Sequence, residues 1–296
     1  MKLKGVLASD LDGTIAVKGV IGAGEFRAAE KLRLAGIPLL VVTGRNSLSL
    51  QWVDGLRELA DEILFSSGAG LQVASEALPR ELHWLSAGEV QRIAGILNDF
   101  GEDYCILHRI PRSGNFSWVR RRPENADLDS RLKLYARWAK PLPPGGVARA
   151  FPEGAVHILV IRPSFPAPDS DLISALSEWS VFTGTSPLDH SSAWLEIFPA
   201  GVNKGGALSE WCARRGLSAG SVMALGNDYI LPEREVLPLP WRRLWLCLEP
   251  AGSGRAVRAR PRPSVSPRLG YKERPGSRRS ESPHPSGSPR PQSAAL

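Results

Sequence analysis

At 296 residues, 43% of them apolar, the chain is long enough for two modest domains, each with its own core. The formal net charge of +7 lies in one segment: residues 251–296 hold nine Arg and one Lys against two Glu, a net +8, which leaves residues 1–250 at −1 and excludes a basic folded body. No run approaches the roughly 18 apolar residues of a membrane span, and the widely separated Cys105, Cys212 and Cys247 make no metal-ligand spacing.

The opening "MKLKGVLASD" reaches Asp10 before a signal-peptide core forms, so a reducing cytoplasm is expected. "KLKGVLAS" reads as a buried strand. "GAGEFRAAEKLRLAG" follows as an amphipathic helix, with Phe26, Ala29 and Leu32 near helical spacing and Gly36 as its stop. "IPLLVV" is a second apolar strand. Leu48, Trp52, Leu56 and Leu59 then predict one helical stripe, and "EILFSSG" a third strand. Strand and helix alternating at short spacing predict an α/β fold with a doubly wound parallel sheet.

From residue 81 the texture changes. "YCILHR", "FSWVRRR", "AVHILVIRP" and "AWLEIFP" are strand-like, and "SAGEVQRIAGILNDFG" is helical. The expected organisation is a core of residues 1–80 and 200–229, with an inserted α+β unit at 81–199. "NKGGALSEWCARRG" is a helix, and "SVMALGND" returns to the parallel-strand style. Beyond residue 251 stand eight Pro, nine Arg and nine Ser in 46 residues, too few apolar groups to offset ordering entropy, so a disordered tail is expected.

In "SDLDGTI", Asp10 and Asp12 end the first strand. Residues i and i+2 of an extended chain project to one side, so both carboxylates reach one pocket, and Gly13 permits the turn that follows. "VVTGRN" places Thr43, Gly44 and Arg45 at the second strand end, a hydroxyl, backbone N–H groups and a cation suited to an oxyanion. Lys204 opens a helix, where the dipole also favours an anion. "ALGND" closes the set at another strand end. In an open parallel sheet, ligands bind beyond the carboxyl ends of the strands, and all these polar groups fall there or at a helix start.

"DLDGT", "TGR", "NKGGAL" and "ALGND", in that order, resemble the motifs of the haloacid dehalogenase-like (HAD) phosphatases. The insertion is similar to the large α/β cap of their IIB, or Cof-like, subclass. The resemblance covers residues 1–229. It implies a Mg²⁺-dependent phosphomonoesterase working through an aspartyl phosphate, often on sugar phosphates or similar small phosphorylated metabolites. It further implies Asp10 as nucleophile, Asp12 as general acid and then base, and Thr43, Gly44 and Lys204 as holders of the phosphoryl group, with Arg45 toward the substrate. The metal falls to Asp10 and the Asp12 backbone carbonyl.

The fourth motif departs from the family pattern. Gly226 matches, but Asn227 stands at the first aspartate, and Ile230 and Leu231 occupy the places of the last asparagine and aspartate. The later aspartate, normally a metal ligand, is missing, and Asp228 is the group placed to substitute in part. The break falls in mid-motif, so residues from about 230 onward read as the product of a shifted reading frame. Two other functions stay open: a phosphate-binding relative without turnover, and nucleic-acid association through the basic tail. The tail lacks interleaved aromatics and no folded nucleic-acid motif accompanies it, so nucleic acid is not the expected partner. Trp84, Trp118, Trp138 and Trp179 are expected in packing, Arg120, Arg121 and Arg122 on a solvated edge, and His83, His108, His157 and His190 in no specific role.

Overall fold

The computed structural model describes residues 5–163 and 170–226. Asn227, Asp228 and the tail at 230–296 lie outside the described residues, as does Cys247. One six-stranded sheet runs in the order Val222–Leu225, Val6–Ser9, Leu39–Val42, Glu62–Phe65, Gly70–Val73 and Arg80–Glu81. The first four strands are parallel and the last two antiparallel. Successive side chains along a strand point to opposite faces, so each strand feeds two cores. Leu39, Val41, Ile63 and Phe65 join a cluster with Ala29, Leu56 and Leu59; Ala29 belongs to the helix Ala23–Leu34. Val6, Ala8, Leu40, Val42 and Leu64 join another with Ala207, Leu208 and Trp211 of the helix Lys204–Arg214. Helices therefore cover both faces, and an apolar run with no polar alternation is what such a strand requires. The fold is α/β, as the alternating pattern predicts.

One expected helix is replaced by two short pieces. Leu48, Trp52, Leu56 and Leu59 have helical spacing, yet a 3-10 turn at Ser49–Trp52 stops before Gly55, and a short helix at Leu56–Leu59 begins after it. Gly55 is left-handed, at φ 75°, and a Cβ there would lie 2.6 Å from the Phe26 ring. The close approach of the first helix selects glycine, and the left-handed glycine interrupts the stripe. Leu48, Leu56 and Leu59 are buried all the same.

The second six-stranded sheet has the order Ala139–Pro141, Phe116–Val119, Asp103–Leu107, His157–Arg162, Ala193–Phe198 and Ser180–Thr185. All its pairs are antiparallel except the first. Tyr104, Ile106, Ile158, Val160, Leu195 and Ile197 share a cluster with Val90, Ile93 and Leu97 of the helix Ala87–Asp99. A capping box of Ser86 and Glu89 opens that helix and satisfies two of its orphan backbone groups. Residues on the opposite face, among them Cys105, Leu107, Leu159 and Ile161, cluster with Leu128 of the helix Ala126–Leu134 and with side chains of the first sheet. The two edge strands carry no apolar alternation, and Pro141 sits on an edge because proline cannot donate to a ladder.

The arginine run is less solvated than its composition suggests. Arg120 pairs with Asp129, and Arg122 lies 2.9 Å from Glu102, a buried carboxylate also paired with Arg162. Trp179 is buried and donates to Glu89, whereas the Trp84 ring is part exposed beneath the Arg109 guanidinium. Cys105 and Cys212 are buried free thiols. Among the described residues, no helix is long and apolar enough to cross a membrane.

Candidate active site

Asp10 follows the strand Val6–Ser9, which runs parallel to both Leu39–Val42 and Val222–Leu225. The three strands thus release their polar continuations at one side of the sheet. The Asp10 N–H donates to the Leu225 carbonyl at 2.9 Å, extending the ladder by one residue and fixing the aspartate against the last described strand. A Cβ built at Gly226 would lie 3.8 Å from the Asp10 Cβ, so "GND" begins beside Asp10. Asp10 Oδ1 accepts from Lys204 Nζ at 2.9 Å, bringing together residues 194 positions apart.

Lys204 is aimed by its helix. Asn203 caps it, its side chain accepting from the Gly206 N–H at 2.7 Å. Gly68, at φ 104°, lets the loop after the third strand approach: a Cβ there would lie 2.2 Å from the Ala207 Cβ. Any side chain at 68 would push the helix, and Lys204 with it, away from Asp10.

Beyond Asp12 the chain turns at Gly13, φ 73°, whose N–H donates to the Ala16 carbonyl at 2.8 Å, and enters a small hairpin of Ala16–Val17 and Val20–Ile21. The Asp12 carboxylate is gripped by Arg45: Nε to Oδ2 at 2.9 Å and Nη2 to Oδ1 at 2.7 Å. Arg45 Nη1 donates to the Ser49 carbonyl at 3.0 Å, and the side chain is only 7% exposed. Every guanidinium nitrogen thus has a protein partner. The sequence places Arg45 toward the substrate; the geometry places it against Asp12, in the two-pronged pairing that fixes a carboxylate's orientation.

Thr43 is buried and tied on all sides. Its N–H donates to the Leu64 carbonyl at 2.9 Å, its carbonyl accepts from the Ser67 N–H at 3.0 Å, and its Oγ1 accepts from the Arg45 N–H at 3.2 Å. A Cβ at Gly44 would meet the Ser67 Oγ only at 3.7 Å, an ordinary contact. Asp228 lies outside the described residues. Ser66 and Ser67 belong to none of the sequence motifs. Both are left-handed, at φ 48° and 54°, and the Ser66 N–H donates to the Arg45 carbonyl at 2.8 Å. The buried Ser66 Oγ has no hydrogen-bond partner among the described residues. Strained non-glycine backbone of this kind persists only where its surroundings over-determine it, and it concentrates at functional sites. Its sequence signal is small residues, "SSG", directly after an apolar strand.

The resemblance assigns a cation to the Asp10 carboxylate and the Asp12 backbone carbonyl. Among the described residues, no group of three or more His, Cys, Asp or Glu side chains forms a metal cage. One carboxylate and one carbonyl, all oxygen, suit Mg²⁺, which keeps several waters and takes the rest of its shell from a phosphate.

No family model matches the chain, and no curated protein matches it by sequence. Solved structures do match it. A sugar phosphatase of HAD subclass IIB superposes with a TM-score of 0.55 at 16% identity, over 74% of this chain and 79% of its own. A phosphatase of the HAD enzyme superfamily from Bacteroides thetaiotaomicron gives 0.59 at 16% identity, over 76% and 78%. A structure from Thermotoga maritima gives 0.56 at 17% identity, over 77% and 81%. At such identities the likeness is one of fold: the chain has the α/β fold of these solved HAD phosphatases.

Proposed function

We propose that the protein is a HAD-type phosphomonoester hydrolase of subclass IIB. It acts on a sugar phosphate or similar small phosphorylated metabolite, with residues 1–80 and 200–229 as catalytic core and 81–199 as cap. The observation that carries the reading is the Asp10–Lys204 contact at the strand ends, with Thr43 and an Arg45-clamped Asp12 beside it. A strand-end carboxylate paired with a helix-start lysine suits an attack on phosphorus and the neutralisation of the charge that results.

In this reading Asp10 attacks phosphorus and forms the aspartyl phosphate. Lys204 and the Thr43 hydroxyl hold the transferring oxygens, so that positioning and charge neutralisation supply most of the rate. Asp12, oriented by Arg45, protonates the departing alkoxide and then takes a proton from the water that hydrolyses the intermediate. Asp10, the Asp12 carbonyl and Asp228 would hold Mg²⁺, which when bound screens the repulsion between a carboxylate and a phosphate dianion.

The test is Mg²⁺-dependent hydrolysis over a panel of sugar phosphates, beside an Asp10→Asn control. The expected result is turnover in the parent and a loss of about 10³-fold or more in the variant, with phosphate binding retained. Comparable kcat in both proteins removes Asp10 from the nucleophile role. Phosphate binding without turnover in the parent favours the non-catalytic relative, to which the departure in the fourth motif already points. Asp228→Ala should raise the Mg²⁺ concentration needed for activity; no change excludes Asp228 as a ligand.

A further inference from the structure

The edge of the second sheet gathers positive charge without a counter-charge. His108, Arg112, Asn115, Arg137, Trp138 and Lys140 line a cavity of about 390 Å³ there, and none of its lining residues is acidic. Arg112, Arg137 and Lys140 are exposed, and among the described residues their side chains form no ion pair and donate no hydrogen bond. Arg137 touches only a ring, with its guanidinium 5.9 Å from the Trp138 ring centre. By contrast, Arg45, Arg109, Arg120, Arg122, Arg162 and Arg215 each meet a carboxylate.

Strand register decides which face these groups occupy. Lys140 stands opposite Ser117, which also lines the cavity, Ser117 opposite Ile106, and Ile106 opposite Ile158. Directly opposed residues project to the same face of a sheet. Ile106 and Ile158 belong to the cluster under the helix Ala87–Asp99, whereas Cys105, Leu107 and Leu159 pack with side chains of the first sheet. Lys140 and Ser117 therefore project away from the first sheet, whose strand ends carry Asp10. The cavity shares no residue with the Asp10–Lys204 site.

The backbone fixes the cations in place. The His108 N–H donates to the Asn115 carbonyl at 3.0 Å, the Asn115 N–H to the Arg112 carbonyl at 2.9 Å, and the Arg112 N–H to the Arg109 carbonyl at 2.8 Å. The same turn is tied to the first sheet and its loops: Ser113 Oγ lies 2.7 Å from Ser47 Oγ, and the Ile110 N–H donates to Glu81 at 3.0 Å. Between Arg137 and Lys140, the Trp138 N–H donates to the Tyr135 carbonyl at 2.8 Å, and the Trp138 carbonyl accepts from Phe116 at 3.2 Å. His108 senses the outcome. Burial first, and then the Arg112 and Lys140 charges, hold its pKa below the ordinary value, and no carboxylate opposes them. Charges of one sign lining a concave wall focus their field into it, and an anion offsets that field.

Charge and size define the ligand. Three cations suit a group with two or more negative charges, and guanidinium forks match phosphate oxygens in two-pronged pairs. A cavity of this volume takes a small molecule. A nucleic-acid strand would need free aromatic faces for its bases. The rings here are already packed, Trp138 and Phe116 edge-on to Tyr135, and His108 against Phe151.

We propose that this cavity is a second anion site, separate from the Asp10–Lys204 site, where Arg112, Arg137 and Lys140 bind a compact diphosphate group. The ligand is inorganic diphosphate or the diphosphate end of a small nucleotide. The site stands apart from the phosphatase reading, because no residue of the cavity belongs to that mechanism.

Calorimetry on the full-length chain tests the site, without Mg²⁺ and at about 0.15 M salt, where exposed charges are largely screened. The probes are pyrophosphate, ADP, inorganic phosphate and a mixed-sequence single-stranded DNA. Pyrophosphate should bind more tightly than inorganic phosphate. Arg137→Ala and Lys140→Ala should each weaken pyrophosphate binding about tenfold, the loss expected of one hydrogen bond between charged groups. Arg137→Lys, which keeps the charge, should lose less and serves as the control for folding. Lys204→Ala should leave the affinity unchanged. Equal affinities for pyrophosphate and ADP support the inorganic ligand, and tighter ADP supports the nucleotide. Undiminished binding in both Arg137→Ala and Lys140→Ala, or a loss confined to Lys204→Ala, moves the anion to the basic tail or to the Asp10 site and overturns the proposal. Absence of pyrophosphate binding overturns it too, as does DNA binding that is tighter than pyrophosphate and weakened by the same variants.

Discussion

Leu39–Val42 and Val222–Leu225 are both four-residue apolar strands, LLVV and VMAL, and both lie parallel to Val6–Ser9. The first is buried at every position; none of the second is fully buried, and Met223 is 41% exposed. Composition does not separate them. Leu39–Val42 lies between two strands, while among the described residues Val222–Leu225 pairs with Val6–Ser9 alone. Burial is thus a property of the place in the sheet, and an apolar run only permits it. Their polar ends differ in the same way. Thr43 and Arg45 are tied to Leu64, Ser66, Ser67, Asp12 and Ser49, whereas Gly226 is the last described residue of its strand end.

The comparison is broken most directly at the tied end. Asp12→Ala leaves the Arg45 guanidinium without its counter-charge, and because the Asp12 side chain is 48% exposed and open to water we expect a loss of about 1–3 kcal/mol of stability in addition to lost turnover. Asp10→Asn should lose turnover with much less destabilisation, and denaturant unfolding of the two variants side by side checks this. Equal stabilities would mean that the Arg45–Asp12 clamp contributes nothing to the fold. In the middle of the same strand, Leu40→Ala removes a fully buried side chain and should cost about 2–5 kcal/mol.

His157 sharpens the comparison from another side, because it is a titratable group at a buried position. Its folded pKa of about 3 lies below the ordinary value of 6.5, so between these pH values the unfolded chain binds a proton that the folded chain refuses. Stability therefore rises with pH through that window and is lost as pH falls through it. Glu196, raised by burial from 4.5 to about 7, works in the opposite sense between those two values. Below pH 4.5 only the histidine acts of the two. His157→Gln should accordingly flatten the Tm-against-pH curve most between about pH 3 and 4.5, by up to about 1.4 kcal/mol per pH unit at 25 °C. A variant curve parallel to the parent's would show that His157 is not held neutral. The smallest effect is expected at the edge strand, where Met223→Lys should stay within about 0.5 kcal/mol of the parent. A loss as large as that of Leu40→Ala would show that Met223 is covered in solution.

What the sequence alone determined about this protein is what short stretches of chain dictate. Continuous apolar runs alternating with helical spacing specify strands of a doubly covered sheet, and glycine turns after them put Asp10, Asp12 and Thr43 at strand ends. Lys204 belongs with these, since Asn203 and the glycines after it mark a helix start within a few residues. Tertiary structure alone decided the rest, through neighbours remote along the chain. Gly55 breaks a helical stripe because Phe26 presses against it, and Arg45 turns to an aspartate 33 residues away. The edge strands Ala139–Pro141 and Ser180–Thr185 are strands only by pairing with partners that have the stronger patterns. Glu196 reads locally as one polar residue in "AWLEIF"; only the sheet sets it in one row with Leu159 and Phe182. Backbone preference and periodicity act over a few residues, whereas the field and the packing at a side chain are summed over everything the fold brings near.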